Sequence, residues 1–372
     1  MEIVTQTARL AEIGDEWREL AERRGNAFLT PEWFFAWIDV VGDAATPLVA
    51  VRRDAGGELA GVMPLVGSGR GPRRTVRFAG AAIGDLFSPL DRESDRALSE
   101  AAIAAIRATG ERGAFVFDRV EPDAEWVQGL AAGPETVTEL ADHENVLPEV
   151  DLAGLTWEEY LAGRSRNLRS QLGRRRRKLE REHEIVFRRS DSSRLAEDLE
   201  TWRRLHQARW ADRGGGALDP QAIAFHARFS AAILERGWLR LWILEADERP
   251  VAAWYGWLIG GRYSYYLAGF DDAFADYSIG TLLLAWTIED AIEEGASVYE
   301  MLLGSEPFKL RFATGQRRVH TVIVSPRLHP IRAAALGESA ARRLVNRLEP
   351  TTRARIKRPI RALANRLSGS RP

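Results

Sequence analysis

Apolar positions in the first half of the chain change from helical to strand spacing. Near the N-terminus they recur every three or four residues, which predicts a helix over 10–24. A second helix is expected up to Val41, because Thr30 and Pro31 suit its N-cap and first turn. The shorter runs that follow predict strands 46–52, 59–66 and 74–78, helix 97–110 and strand 115–120.

The second half repeats this order of helices, strands, a helix and a strand. Its pattern predicts helices 164–182, 196–212 and 220–237, strands 239–245, 251–259 and 262–268, helix 279–294 and strand 297–303. Strand or loop is expected at 308–312 and 318–324, and basic helices at 332–348 and 356–367. We interpret the common order as a weak repeat of architecture in an α/β fold with α+β mixed sheets.

Length and charge divide the chain in a similar way. Its 372 residues suit two domains, which we place at 1–150 and 151–326, followed by a basic helical tail at 327–372. The first range has 15 basic and 26 acidic residues (−11), whereas the tail has 12 and two (+10). Such a tail suits nucleic acid, an anionic membrane surface or an acidic face of the same protein, and a solvated tail is an open alternative.

The residue types also exclude several kinds of site. The absence of cysteine excludes disulfides, thiolate metal sites and a cysteine nucleophile, and the six histidines lack metal-ligand spacing, so we expect no metal. Met1–Leu10 lacks the apolar core of a secretory signal, and no stretch approaches the length of a membrane span. These features predict a cytoplasmic protein, with membrane association through the tail left open.

The turn after strand 262–268 is the first candidate for chemistry. Ser278 suits the N-cap of the apolar helix that follows, and Gly280 keeps its first turn free of bulk. Exposed amides of Ser278, Ile279, Gly280 and Thr281 would favour a phosphate or carboxylate there. The alternative is a plain serine N-cap with an incidental glycine.

Charged residues that follow strand 297–303 form the second candidate. Lys309 suits stabilisation of a phosphate or a developing oxyanion, and Glu306 or Glu300 suits removal of a proton from an attacking amine or hydroxyl. The alternative is a surface Glu–Lys pair without function.

Three further features are weaker candidates. His206, Arg209 and Trp210 share one helical face, where the histidine suits a base or a packed domain interface. Tyr265 and Tyr266 alternate across a strand, so only one of them can face a cleft. Asp85 suits either a cleft or an ordinary turn.

The helix at 164–182 is strongly basic. Its arginines surround the helix instead of lining one face, which suits a phosphate-rich partner such as tRNA. A solvated helix paired with the acidic first range is the alternative reading.

Short motifs in both halves follow a family pattern. They are Leu239–Leu244, Pro250-Val-Ala-Ala253, Gly269-Phe-Asp271, Ser278-Ile-Gly280 and Leu303-Gly304…Phe308-Lys309 in the second half, and Phe28–Trp33, Val62–Val66 and Gly84-Asp85…Ser88 in the first. They resemble the FemAB-like proteins of the GNAT acyltransferase superfamily, most of all the CelD-like (cellulose-biosynthesis-type) subgroup. Helix 164–182 is similar to the basic helix of that subgroup.

The resemblance implies two tandem GNAT-like domains and an acyltransferase. The donor would be acyl-CoA (acetyl-CoA) as co-substrate or, as an alternative, aminoacyl-tRNA, and the acceptor an amine or hydroxyl of a small molecule or envelope precursor. The candidate substrate-binding residues are Asp85, Arg209, Trp210, Tyr265 and Asp271. We expect direct attack, because no nucleophile motif is present. A non-catalytic protein of envelope or polysaccharide assembly is the alternative from another class.

Two departures from the family pattern concern the donor. Only Ser278-Ile-Gly280 stands in place of the full GNAT phosphate loop, with Ile279 where proline is more usual. Glu300 stands where aspartate is more typical. Both leave acetyl-CoA binding open.

Overall fold

The computed structural model describes residues 1–141, 145–210 and 218–346, which form two compact units. Unit 1 comprises Met1–Leu20, Val41–Asp142 and the chain from Val319 onwards, and unit 2 comprises Ala21–Val40 and His143–Arg318. Each unit therefore combines separate stretches of chain: Ala21–Val40 of the range 1–150 belongs to unit 2, and the chain from Val319, within the range 151–326, belongs to unit 1.

Unit 1 contains two sheets and the helices that pack on them. Its strands are β1 (Glu2–Val4), β2 (Ala45–Pro47), β3 (Val49–Arg53), β4 (Leu59–Met63), β5 (Leu65–Ser68), β6 (Thr75–Phe78), β7 (Leu90–Asp91), β8 (Ala114–Val120), β9 (Thr136–Leu140) and, from the end of the chain, β17 (His320–Ser325). Its helices are α1 (Thr7–Glu12), the first part of α2 (Gly14–Arg24), α4 (Asp95–Ala108), α5 (Glu125–Gly129) and α12 (Pro330–Asn346). The smaller sheet has the order β1-β3-β4-β7, and the larger one β2-β5-β6-β8-β17-β9.

Several elements of unit 1 are shorter than the sequence predicts. The single helix expected over 10–24 is wrong, because the chain breaks at Ile13 and forms α1 and α2. The strands expected over 46–52 and 59–66 each divide between the two sheets. Pro64 marks the second break, since it has no N–H to continue the ladder.

Unit 2 is built on one seven-stranded sheet of the order β11-β12-β13-β14-β15-β10-β16. Its strands are β10 (Val146–Asp151), β11 (Ile185–Arg189), β12 (Leu239–Ala246), β13 (Arg249–Ile259), β14 (Arg262–Phe270), β15 (Val298–Glu300) and β16 (Gly315–Arg318). Its helices include α3 (Pro31–Val41), α6 (Trp157–Ala162), α7 (Arg166–Glu182), α8 (Leu195–Trp210), α9 (Pro220–Glu235), α10 (Ile279–Glu293) and α11 (Pro307–Phe312).

The two larger sheets share one pattern of strand directions. In unit 1, β6 and β8 are parallel, and antiparallel partners β5 and β17 flank them. In unit 2, β14 and β15 are parallel, between the antiparallel partners β13 and β10. The predicted mixed sheets and repeat of architecture are therefore confirmed.

Helices α7 and α10 form the core of unit 2 beside the strands β13 and β14. Helix α10 is apolar around most of its circumference, with Leu282, Leu283 and Leu284 all buried, as expected of a helix enclosed by protein. Helix α7 buries only one stripe, Leu168, Leu172 and Leu179. Each buried leucine contributes roughly 1.5–3 kcal/mol, which fixes the basic helix against the core.

Two predictions near the C-terminus have different outcomes. Segment 308–312 was expected as strand or loop, but α11 is a helix, because Glu306 takes the N-cap position and Pro307 the first turn. The helix expected at 332–348 is present as α12, whereas the one at 356–367 lies outside the described residues. Within the described ranges, no helix is long and apolar enough to cross a bilayer.

Candidate active site in unit 2

The sheet of unit 2 opens where its parallel strands end. Strands β14 and β15 pair over three residues each, and the last partners are Ser264 and Glu300. Strand β14 continues to Phe270, while the chain after β15 turns to β10, where the Gly304 amide donates to the Val146 carbonyl at 2.9 Å. The backbones of β14 and β15 therefore stop pairing at the C-terminal ends of the parallel strands, a common ligand position in open α/β sheets.

Lys309 and Glu306 lie together beside this opening. Lys309 is only 6% exposed, and its Nζ donates to the Leu303 carbonyl at 2.9 Å. The same Nζ lies 3.3 Å from Glu306 Oε2. Burying an ammonium group is costly unless it is paired and hydrogen-bonded, so both contacts are needed to hold Lys309 here.

Gly304 allows this pair to fold back over the end of the strand. Its φ is +135°, a backbone conformation that side chains disfavour. A Cβ at this position would lie 2.1 Å from Glu306 Oε2 and 2.9 Å from Lys309 Nζ. Glycine is therefore required by both the backbone and the charged pair.

Tyr265 and Arg209 complete the cluster around Lys309. The Lys309 Nζ lies 5.3 Å from the centre of the Tyr265 ring, and Trp254 stacks on that ring. Burial raises the pKa of the Tyr265 phenol, while the charge of Arg209 and its hydrogen bond to the phenol oppose the rise. Tyr265 is therefore protonated at neutral pH and able to donate a hydrogen bond.

Helix α8 brings Arg209 and His206 to strand β14. His206 Nδ1 lies 3.1 Å from the Ala268 carbonyl, to which Arg209 Nη1 also donates at 3.4 Å. The helix packs closely at Gly269, where a Cβ would lie 2.2 Å from the His206 backbone nitrogen. The His206 ring turns towards Trp202, with ring centres 5.7 Å apart.

The start of α10 differs from the expected serine cap. Ser278 has a left-handed backbone (φ 51°, ψ 48°), and its side chain makes no capping hydrogen bond, so that prediction is wrong. Its carbonyl accepts from the Thr281 amide at 2.8 Å instead. In the described part of the chain, the amides of Ile279 and Gly280 have no acceptor, and the Ile279 side chain is buried. These two amides are the candidate donor site.

Phe270 links the donor site to Arg209. A Cβ at Gly280 would lie 2.8 Å from Phe270 Cε1, so the ring rests on the first turn of α10. The Arg209 guanidinium carbon lies 4.4 Å from the centre of the same ring. The Phe270 ring therefore contacts both the Arg209 guanidinium and the first turn of α10.

The segment that carries this geometry is similar to a known family. Residues 166–310 match the model of the acetyltransferase (GNAT) domain. The match runs from α7 into α11 and includes every candidate site residue except Asp85. No curated protein matches the chain at a significant level.

Solved structures share the fold over most of the chain. FemX has 15% identity and a TM-score of 0.65, with 90% of this chain and 99% of FemX covered. The DUF2156 domain assigned to a lysylphosphatidylglycerol synthetase of Agrobacterium fabrum has 16% identity and a TM-score of 0.56, with coverages of 88% and 95%. L-PGS of Bacillus licheniformis has 17% identity and a TM-score of 0.52, with coverages of 90% and 97%. At these identities the likeness establishes the fold alone, and the GNAT match indicates a transferase.

Glu300 occupies a separate charged network within unit 2. Its carboxylate accepts from Arg262 at 3.0 and 2.7 Å, from Arg317, and from Ser264 Oγ at 3.0 Å. A carboxylate with this many donors holds strands together, so its expected role as a base has no support from the contacts.

The other candidates lie apart from the Lys309 cluster. Asp271 caps the 3-10 turn Asp272–Tyr277, accepting from the Ala273 amide at 2.9 Å, and forms an ion pair with Arg249. Asp85 belongs to unit 1, between β6 and β7. Trp210 ends α8, and its side chain lies outside the described residues.

Tyr277 lies beside the candidate site, although the sequence pattern did not single it out. Its hydroxyl donates to Glu182 at 2.8 Å and lies 3.1 Å from His183 Nε2, and Lys178 Nζ is 4.7 Å from its ring centre. The hydrogen bond to Glu182 raises the pKa of the Tyr277 phenol. The end of α7 therefore fixes Tyr277, two residues before the candidate donor site, and the position of Tyr277 next to Ser278 was the available signal.

Proposed function

We propose that this protein is a GNAT-type acyltransferase that moves an acyl group from acyl-CoA, such as acetyl-CoA, to an amine or hydroxyl. The observation that carries the proposal is the pairing of the buried Lys309 with Glu306 at the opening between β14 and β15. The motifs described above support placing the chain in the FemAB-like, CelD-like subgroup.

The donor site suits the phosphate groups of acyl-CoA. The amides of Ile279 and Gly280 begin a 15-residue helix, where the N–H groups and the helix dipole favour an anion. The absence of a Cβ at Gly280 leaves the backbone open to a phosphate oxygen. The opening beside β14 would then take the acyl end of the donor, towards Lys309.

Lys309 and Glu306 suit the two charges that acyl transfer creates. The acceptor attacks the thioester carbonyl, and the negative tetrahedral oxygen is stabilised by the Lys309 ammonium. Glu306 takes the proton of the attacking amine or hydroxyl. Its side chain is 39% exposed, so an acceptor can reach it.

The tetrahedral intermediate collapses when the C–S bond breaks and the CoA thiolate leaves. The proton taken by Glu306 returns to that sulfur, which restores the starting state. The protonated Tyr265 phenol, beside Lys309, donates a hydrogen bond to the substrate. Each step uses groups within one cluster, without a covalent enzyme intermediate.

Aminoacyl transfer from tRNA is the second candidate function. The likeness to FemX, with a TM-score of 0.65, and the arginines around α7 favour it. The same Lys309 cluster would act on the ester of an aminoacyl-tRNA, because its carbonyl develops the same oxyanion.

Ligand-induced stabilisation distinguishes the two donors. Acetyl-CoA at about 100 times its Kd should stabilise the native protein by about 2.7 kcal/mol and raise its melting temperature by several degrees. Differential scanning fluorimetry with acetyl-CoA, longer acyl-CoAs and aminoacyl-tRNA measures this shift. Stabilisation by the tRNA alone would favour the second candidate, and no shift with any of them would contradict both.

Gly280→Ala should weaken acetyl-CoA binding by about tenfold or more, because the new methyl group displaces Phe270 and covers a donor amide. The matched control is Gly14→Ala, which is also in the first turn of a helix but has no atom within 4 Å of its Cβ. Wild-type affinity in Gly280→Ala would place the donor elsewhere.

A further inference from the structure

Helix α7 presents basic residues on both sides of its buried leucine stripe. Because residues three and four apart share a face, Gln171, Arg175 and Lys178 follow one side of the stripe. Arg176 and Glu180 follow the other side. The two sides carry similar side chains, so their surroundings can be compared directly.

The Arg176 side is electrically neutralised. Arg176 pairs with Glu180 at 2.8 Å along the helix and lies 3.8 Å from Glu289 of α10. Such pairs are the ordinary condition of arginines on a helix surface, and they leave no excess charge for a ligand.

The Arg175 side, in contrast, has an excess of positive charge. Arg311 of α11 donates to Gln171 Oε1 at 3.0 Å, which brings it to the face that carries Arg175 one turn later. Partial burial and the charges of Arg311 and Arg174 lower the pKa of the Arg175 guanidinium. Across the described ranges, no carboxylate forms an ion pair with any of the three.

The arginine cluster, Arg174, Arg175 and Arg311, adjoins the candidate active site. Arg311 lies two residues after Lys309 on the same short helix. In the other direction, Lys178 contacts Tyr277, two residues before the donor site. From Gln171 to Lys178 the helix rises about 10 Å, so this side of α7 borders both ends of the site.

We propose that Arg174, Arg175 and Arg311 form a phosphate-binding subsite for the substrate on which Lys309 acts. The subsite rests on the proposed function in one respect, that the ligand reacts at Lys309. Guanidinium groups bind phosphate oxygens in pairs through planar N–H forks, and a group with two negative charges suits three neighbouring cations. The source is either the nucleotide part of a CoA donor or the backbone of a nucleic acid.

Calorimetric titration with inorganic pyrophosphate tests the subsite without any transfer reaction. Arg175→Gln combined with Arg311→Gln should weaken pyrophosphate binding about tenfold or more, since each charged hydrogen bond contributes about that factor. Arg176→Gln, on the neutralised side of the same helix, should leave it unchanged. Equal binding by the double variant, or an equal loss in Arg176→Gln, overturns the proposal. The single variant Arg175→Gln repeats the test where Arg311 keeps its bond to Gln171.

Three further ligands identify the source of the phosphate. A larger loss for CoA than for dephospho-CoA assigns the subsite to the 3′-phosphate, and an equal loss assigns it to the diphosphate. A loss confined to tRNA assigns it to a nucleic acid backbone. If pyrophosphate binding depends on the cluster while acetyl-CoA does not bind, the subsite holds and the CoA-dependent function fails. If acetyl-CoA and pyrophosphate bind equally well to wild type and double variant, the subsite alone fails.

Discussion

Lys309→Met should lower the rate of acyl transfer by about 100- to 1000-fold, the usual effect of removing one oxyanion donor. Methionine fills a similar volume but has no charge and no hydrogen to donate. The variant should still bind acetyl-CoA, because the donor amides belong to α10. Steady-state release of the CoA thiol, with acceptor amines and alcohols, measures the change in kcat.

Arg181→Met provides the control for losing a positive charge. Arg181 is exposed at the end of α7 and pairs with Glu182 at 2.7 Å, so its replacement should leave kcat unchanged. A Lys309→Met protein that melts like the wild type and retains full activity would remove Lys309 from the mechanism.

Glu300→Gln should destabilise unit 2 by about 3 kcal/mol, because it leaves Arg262 and Arg317 without their buried counter-charge. The Glu300 side chain is 7% exposed, whereas the two arginines are 25% and 24% exposed. Solvent screens the arginines in part, so we expect the lower end of the range for broken buried pairs. Urea unfolding followed by tryptophan fluorescence measures the change.

Glu149→Gln is the matched control in the same network. Glu149 lies 3.1 Å from Arg317 but is 28% exposed, so its loss should cost less than about 1 kcal/mol. Transfer activity per folded molecule distinguishes a structural role of Glu300 from a role as the base. If Glu300→Gln remained as stable as wild type but lost transfer activity, Glu300 would be the base that its sequence position suggested.

The predictable parts of the fold are those with strong local patterns. Helix α10 and the meander β12–β14 follow from a continuous apolar run and from turns at 247–250 and 260–261. Strand β10 escaped prediction, because it is short, contains Pro148 and Glu149, and pairs with β15 about 150 residues later. No local pattern encodes a partner at that distance.

The candidate site likewise has features that the sequence predicts and features that depend on tertiary packing. The spacing of Glu306 and Lys309 predicts neighbours, and the structure brings them together. The contact of Arg209 with Tyr265 depends on how closely α8 approaches Gly269, which no periodicity shows. The cap predicted at Ser278 is wrong, because serine is a common N-cap but the left-handed backbone of Ser278 depends on the turn before it. The proximity of Arg311 to Arg175 likewise depends on tertiary packing, which no local sequence pattern shows.

Amide hydrogen exchange with and without acetyl-CoA tests the central claim most directly. If the donor binds across the opening between β14 and β15, exchange should slow at the amides of Ile279 and Gly280 and through the segment of Lys309, residues 303–312. Unchanged exchange in both segments under saturating acetyl-CoA, or protection confined to unit 1, would contradict the account.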